Sequence, residues 1–141
     1  RWDFVHDEIG YNYRLPNINA ALGCAQLEQL PDFLKAKREI FQCYQNAFSR
    51  ATQMHVIAEP EECHSNYWLQ TLLLDESVAA ERNAILAATN DAGLMTRPTW
   101  TLMHRLAPFR HSPAMGLPVA ESLERRLINL PSSSFLLNRK V

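Results

Sequence analysis

The chain has 141 residues, of which 47% are hydrophobic, 21% charged and 9% aromatic. That excludes disordered and low-complexity classes and allows one domain with a core of its own. A formal net charge of −1 and an isoelectric point near 6.6 give no electrostatic footprint for nucleic acid or an anionic membrane. No apolar run approaches the roughly 20 residues of a membrane span. The sequence begins at Arg1 with no charged-then-apolar leader, and it reads as a piece of something longer.

Residues 1–16 are aromatic and polar and end in Leu15-Pro16. Asn17 is placed to cap a helix starting near Ile18, with Ile18, Ala21, Leu22, Ala25, Leu27 and Leu30 at helical spacing. Ala20, Ala21, Gly23 and Ala25 are small, which predicts close packing against a neighbour. Pro31 interrupts this helix, and Asp32 can cap a second one over about 33–51. Its stripe includes Phe33, Leu34, Ile40, Phe41, Tyr44 and Phe48, with Lys35, Lys37, Arg38 and Glu39 mainly on the wet side.

Gln53–Ile57 reads as a short strand and Tyr67–Leu74 as a buried one. A third helix follows over about Val78–Ala92, with Gly93 where a helix C-terminal glycine belongs, and then a short strand at Leu94–Thr96. From Arg97-Pro98 the chain reads as an ordered loop with a helical turn around 101–106. Val119–Leu127 is a last helix, and Ile128–Leu130 is a short apolar segment. The whole predicts an α/β or α+β unit, a small sheet covered by helices.

The three cysteines, Cys24, Cys43 and Cys63, have no framework spacing and predict a reduced, cytoplasmic protein with partly buried thiols. Cys63-His64 is the only adjacent pair of soft ligands, which is too few for zinc, so no metal site is expected. No GxGxxG, GxxxxGK[ST], HExxH or GxSxG motif occurs. Of the three lysines, Lys35 and Lys37 fall on an exposed helix face and Lys140 in the tail. None has an apolar setting that would prepare it for Schiff-base chemistry.

Two stretches are unusual for pure scaffolding. In Gly10-Tyr11-Asn12-Tyr13-Arg14-Leu15-Pro16, an extended backbone would point Asn12 and Arg14 the same way, toward one anion near a helix start. The alternative is that Asn12 caps a turn and Arg14 pairs with a surface carboxylate. In the loop, Arg97, Trp100 and His104 suit a ligand with phosphates and a ring. The alternative is a core tryptophan with Arg97 and His104 at its rim.

The segment GYNYRLPNINAALGCAQLEQL resembles the one that opens the C-terminal part of the DegT/DnrJ/EryC1/StrS sugar aminotransferases. The rest follows in that family's order, through Ser65-Asn66-Tyr67, Ala92-Gly93-Leu94 and RPTWTLMHRLAPF. The loop looks most like the subgroup acting on UDP-4-keto-6-deoxy-N-acetylglucosamine-type sugars, on bacillosamine and legionaminic-acid routes. The resemblance implies the C-terminal domain of the aspartate-aminotransferase-like fold-type I, a homodimer, pyridoxal phosphate, and glutamate as donor to a nucleotide sugar.

On this reading 1–31 is an interface and phosphate-contact segment with its helix, and 32–141 is the small domain. The large catalytic domain and its Schiff-base lysine would precede Arg1, leaving the fragment alone inactive. The resemblance implies that Asn12 and Arg14 reach the cofactor phosphate across the dimer interface. It also implies that Arg97, Trp100 and His104 lie on the loop lining the nucleotide-sugar site. Trp100 stands where many relatives carry another residue. The alternative function is a non-catalytic nucleotide-sugar-binding or regulatory module.

Overall fold

A computed structural model describes residues 5–138. In chain order it contains α1 (Asn17–Glu28), α2 (Leu30–Ala47), β1 (Met54–Val56), β2 (Gln70–Leu74), α3 (Arg82–Asp91), β3 (Arg97–Pro98), α4 (Pro118–Arg126) and β4 (Leu127–Leu130). The strands form one antiparallel sheet in the order β1-β2-β4-β3. No helix among the described residues is long and apolar enough to cross a membrane.

Alternation sets the sheet's two faces. Gln70, Leu72 and Leu74 are buried, while Thr71 and Leu73 between them are half-buried. Leu72 lies opposite Val56 on one side and Ile128 on the other, so all three share a face. Phe41 of α2 and Leu86 of α3 close over that face to make the core, with Tyr67 beside them. Burial of these side chains contributes roughly 1.5–3 kcal/mol each. The expected Tyr67–Leu74 strand is therefore paired only from Gln70, and it is fully covered on one face.

Pro31 does break the first helical stretch, which resumes at Leu30 with the proline in the first turn of α2. Asn17 and Asp32 are not the caps. Asn17 is already helical behind Pro16, and Asp32 lies one turn inside α2 behind Gln29. Nor is α1 packed deep. None of its residues is buried, and Ile18, Leu22 and Leu27 are exposed, because among the described residues it packs mainly along α2. Helix α2 ends at Ala47, before the expected 51.

The third helix starts as a 3₁₀ stretch, Glu76–Glu81, capped by Asp75, which accepts from the Ser77 N–H at 3.0 Å. Its far end is a Schellman closure around Gly93 at φ +80°. The Gly93 N–H donates to Asn90 O at 3.0 Å and the Leu94 N–H to Thr89 O at 2.8 Å. That closure consumes the Leu94 amide, so the expected strand at Leu94–Thr96 forms instead at Arg97–Pro98. Thr96 is buried and tied back to α3. The Asn90 amide donates to Thr96 O and Oγ1 at 3.0 Å each, and the Thr89 and Thr96 hydroxyls lie 2.5 Å apart.

Arg126 does more than suit the dipole of α4, since its Nη1 donates to Leu74 O of the central strand at 3.0 Å. The three thiols are exposed rather than partly buried, because Cys24 and Cys43 occupy outward helix positions and Cys63 an open loop.

Candidate functional site

The Gly10–Pro16 segment is exposed and without regular structure. Its backbone is not extended at Arg14, whose φ is +116°. The Arg14 N–H donates to Asn12 Oδ1 at 3.4 Å, a turn closed by a side chain. Asn12 thus caps a turn, while its Nδ2 remains a donor. The Arg14 guanidinium makes no ion pair among the described residues. Just beyond, α1 starts with no side-chain cap, so its first amides have no side-chain acceptor. Amide, guanidinium and uncapped helix start make a donor-rich segment without a carboxylate partner among the described residues.

The loop residues divide between two places. Arg97 and Trp100 line one cavity of about 240 Å³ with Trp68, Leu69, Pro98 and Asn129. Arg97 is opposite Asn129 on β4, and Asn129 is opposite Thr71 on β2, so all three project from the sheet face away from the core. Asn129 is pinned there, accepting from Thr71 Oγ1 at 3.2 Å and donating to Pro98 O at 3.3 Å. Trp100 lies beside Trp68, with ring centroids 6.2 Å apart and planes at 25°. Trp100 is therefore an exposed aromatic and not a core plug.

His104 belongs elsewhere. It sits in the 3₁₀ turn Met103–Arg105 and lines a separate, apolar cavity of about 500 Å³ with Phe109, Pro113 and Met115. Its Nε2 is 3.3 Å from Glu121 Oε1, and its buried Nδ1 has no partner among the described residues. Arg105 pairs with Glu121 at 3.4 Å and with Glu124, and Glu124 Oε1 accepts from the Leu102 N–H at 3.3 Å. Two α4 carboxylates thereby fasten the middle of the loop.

Three residues with structural weight escape sequence reading. Trp68 is submerged in the apolar run YWLQTLLL, with no local sign that it faces out. Lys37, expected on the wet face, is half-buried and donates to Trp68 O at 3.2 Å, to Ser132 Oγ at 3.1 Å and to Ser132 O. Burial lowers its pKa. The acceptors are 31 and 95 residues away, so local pattern carries no trace of them. Arg38, also expected to be wet, grips Glu59, donates to Ser65 O at 2.7 Å and stacks over the Tyr67 ring at 5.3 Å.

A small antiparallel sheet under helices, preceded by a helix, is an arrangement also found in solved aminotransferase structures. The Helicobacter pylori aminotransferase PseC, involved in the biosynthesis of pseudoaminic acid, superposes with a TM-score of 0.78 at 21% identity, over 91% of this chain and 35% of that one. The chain belongs to the DegT/DnrJ/EryC1/StrS aminotransferase family, which matches residues 1–141. The GDP-perosamine synthase of Escherichia coli O157:H7 is 39% identical over 138 residues, 98% of this chain and 36% of that protein. The GDP-perosamine synthase of Vibrio cholerae is 33% identical over 130 residues, 92% of this chain and 35% of that protein. The chain spans about a third of the length of the curated relatives it matches.

Proposed function

We propose that the chain is the C-terminal portion of a cytoplasmic, homodimeric aminotransferase that moves an amino group from glutamate to a 4-keto-6-deoxy nucleotide sugar. Residues 1–31 are its interface and phosphate-contact segment and 32–141 its small domain. The observation that carries this is the family match along the full 141 residues. Pyridoxal phosphate, when bound, supplies the amine-carrying and electron-withdrawing chemistry.

The residues present suit that cofactor's phosphate. Asn12 Nδ2 and the Arg14 guanidinium are donors without a carboxylate among the described residues, and charge-assisted donors of this kind hold phosphate. They bind and orient; neither reacts. Arg97 and Trp100 offer the nucleotide sugar a cation and a ring face in one cavity. His104, on the same loop, serves the substrate side from the second cavity, with Glu121 setting its ring.

Full-length protein supplied with glutamate and pyridoxal phosphate tests the reading. UDP- and GDP-linked 4-keto-6-deoxy sugars both belong in the assay, the first from the loop resemblance and the second from the relatives' names. Amine transfer to one of them is expected, with none from residues 1–141 alone. Binding of nucleotide sugar without transfer by the full-length protein would make it a regulatory module instead.

A further inference from the structure

Trp68 is held more firmly than an exposed side chain requires. Tyr67, just before it, is buried and stacks on Phe41 with centroids 4.3 Å apart. Its φ of +46° lies in the left-handed region, a strained conformation for a bulky residue. The Trp68 backbone is then fixed on both sides. Its N–H donates to Asn66 Oδ1 at 2.9 Å, and its carbonyl accepts from Ser132 Oγ at 2.7 Å and Lys37 Nζ at 3.2 Å.

All this anchoring buries little of the side chain. Trp68 remains 65% exposed and Trp100 beside it 52% exposed. Two large aromatic rings in mutual contact, left in water and flanking a cavity, form the kind of apolar patch that marks a binding surface. Their offset arrangement presents ring faces that a further flat system can cover.

We infer that Trp68 is a specificity-determining substrate contact, the platform with Trp100 on which the base of the nucleoside-diphosphate sugar stacks. This rests on the reading of the chain as part of a nucleotide-sugar aminotransferase. A nucleobase is planar, weakly hydrated on its faces and matched to an indole. Arg97, lining the same cavity, places a cation near the diphosphate that follows the base. Lys37 and Ser132 are positioning residues that act through the Trp68 carbonyl. The strained backbone at Tyr67, whose own ring packs in the core, then turns the Trp68 side chain outward.

The test uses the full-length enzyme with the Trp68→Leu and Trp68→Phe variants. Steady-state kinetics are combined with tryptophan fluorescence during titration with GDP and with UDP. Loss of one base stack predicts a KM for the nucleotide sugar raised roughly tenfold or more in Trp68→Leu. That loss falls on the nucleotide sugar and not on the amine donor, and Trp68→Phe, which keeps a ring face, recovers most of it. One of the two nucleotides quenches the wild-type emission, and quenches Trp68→Leu less. An unchanged KM with unchanged quenching overturns the proposal. So does a variant with a lowered melting temperature and equal losses toward both substrates, which makes Trp68 a packing contact with the rest of the protein. If the wild type transfers no amine but nucleotide quenching depends on Trp68, the aminotransferase reading falls while the nucleotide contact stands.

Discussion

Arg38 grips Glu59 with both ends of its guanidinium, Nη1 to Oε1 at 2.8 Å and Nη2 to Oε2 at 3.1 Å. The pair joins α2 to the loop that follows β1. The same carboxylate accepts from the Ser65 N–H at 2.5 Å, so three donors converge on it. This fork-to-fork geometry is stronger than an ordinary surface ion pair.

Acid stability should report this pair. The Arg38 hydrogen bonds first, and then the Ser65 amide, lower the Glu59 pKa from 4.5 to about 2. A depressed folded-state pKa means that its contribution is complete above pH 4.5 and is lost as the pH falls toward 2. Thermal melts of wild type and Glu59→Gln from neutral pH down through that range should differ most at neutral pH and converge on acidification. A difference independent of pH would show that the carboxylate charge is not what matters.

Lys37 ties α2 to the backbones of Trp68 and Ser132, and Lys37→Met removes every one of those donors. Ser132 Oγ still reaches Trp68 O at 2.7 Å, so the tether is weakened and not abolished. Loss of charged hydrogen bonds to partly buried carbonyls should cost about 1–3 kcal/mol. Urea denaturation at neutral pH measures it; a loss within experimental error would make the cluster incidental.

Gly93→Ala isolates a backbone effect. A Cβ there meets nothing within 4 Å, yet φ is +80°. The whole penalty is therefore the left-handed conformation, about 1–2 kcal/mol. Gly93→Asn should cost less, because asparagine tolerates that region better. Equal costs for the two substitutions in denaturant melts would contradict this account.

Asn12→Ala in the full-length protein should weaken retention of pyridoxal phosphate. Losing one hydrogen bond to a charged group is worth about 1.5–3 kcal/mol, or at least tenfold in affinity. Equilibrium dialysis of the cofactor provides the readout. Unchanged retention would leave Asn12 as the turn-former that it already is through Oδ1.

Local chemistry made much of the fold legible. Pro31, Gly93, and the apolar stripe through Ile40, Phe41 and Tyr44 act within a few residues, and their roles follow from dihedral limits and helical period. Lys37 shows where legibility stops. A lysine at a seemingly wet position can turn inward when carbonyls from distant segments await it, and no local pattern encodes them. The small residues of α1 carried a packing expectation, but packing needs a partner, and a helix cannot name its own.

In the candidate site, Arg97 and Trp100 were recognisable as residue types suited to a ligand. Their separation from His104 was not. It arises because Arg97 sits in the sheet ladder while Glu121 and Glu124 fasten the later loop to α4. Trp68 was hidden because a strand's apolar run does not reveal which members face out.

The amide of Asn90 holds Thr96, and Thr96 is the residue before Arg97. The end of a helix thereby sets the phase at which the next strand enters the sheet, and with it the direction in which Arg97 leaves the backbone. Asn90 lies outside the cavity lining, yet it is a steering element for the guanidinium there. The direction of Arg97 in its cavity is therefore open to change from the back of the domain, through a residue outside that cavity's lining.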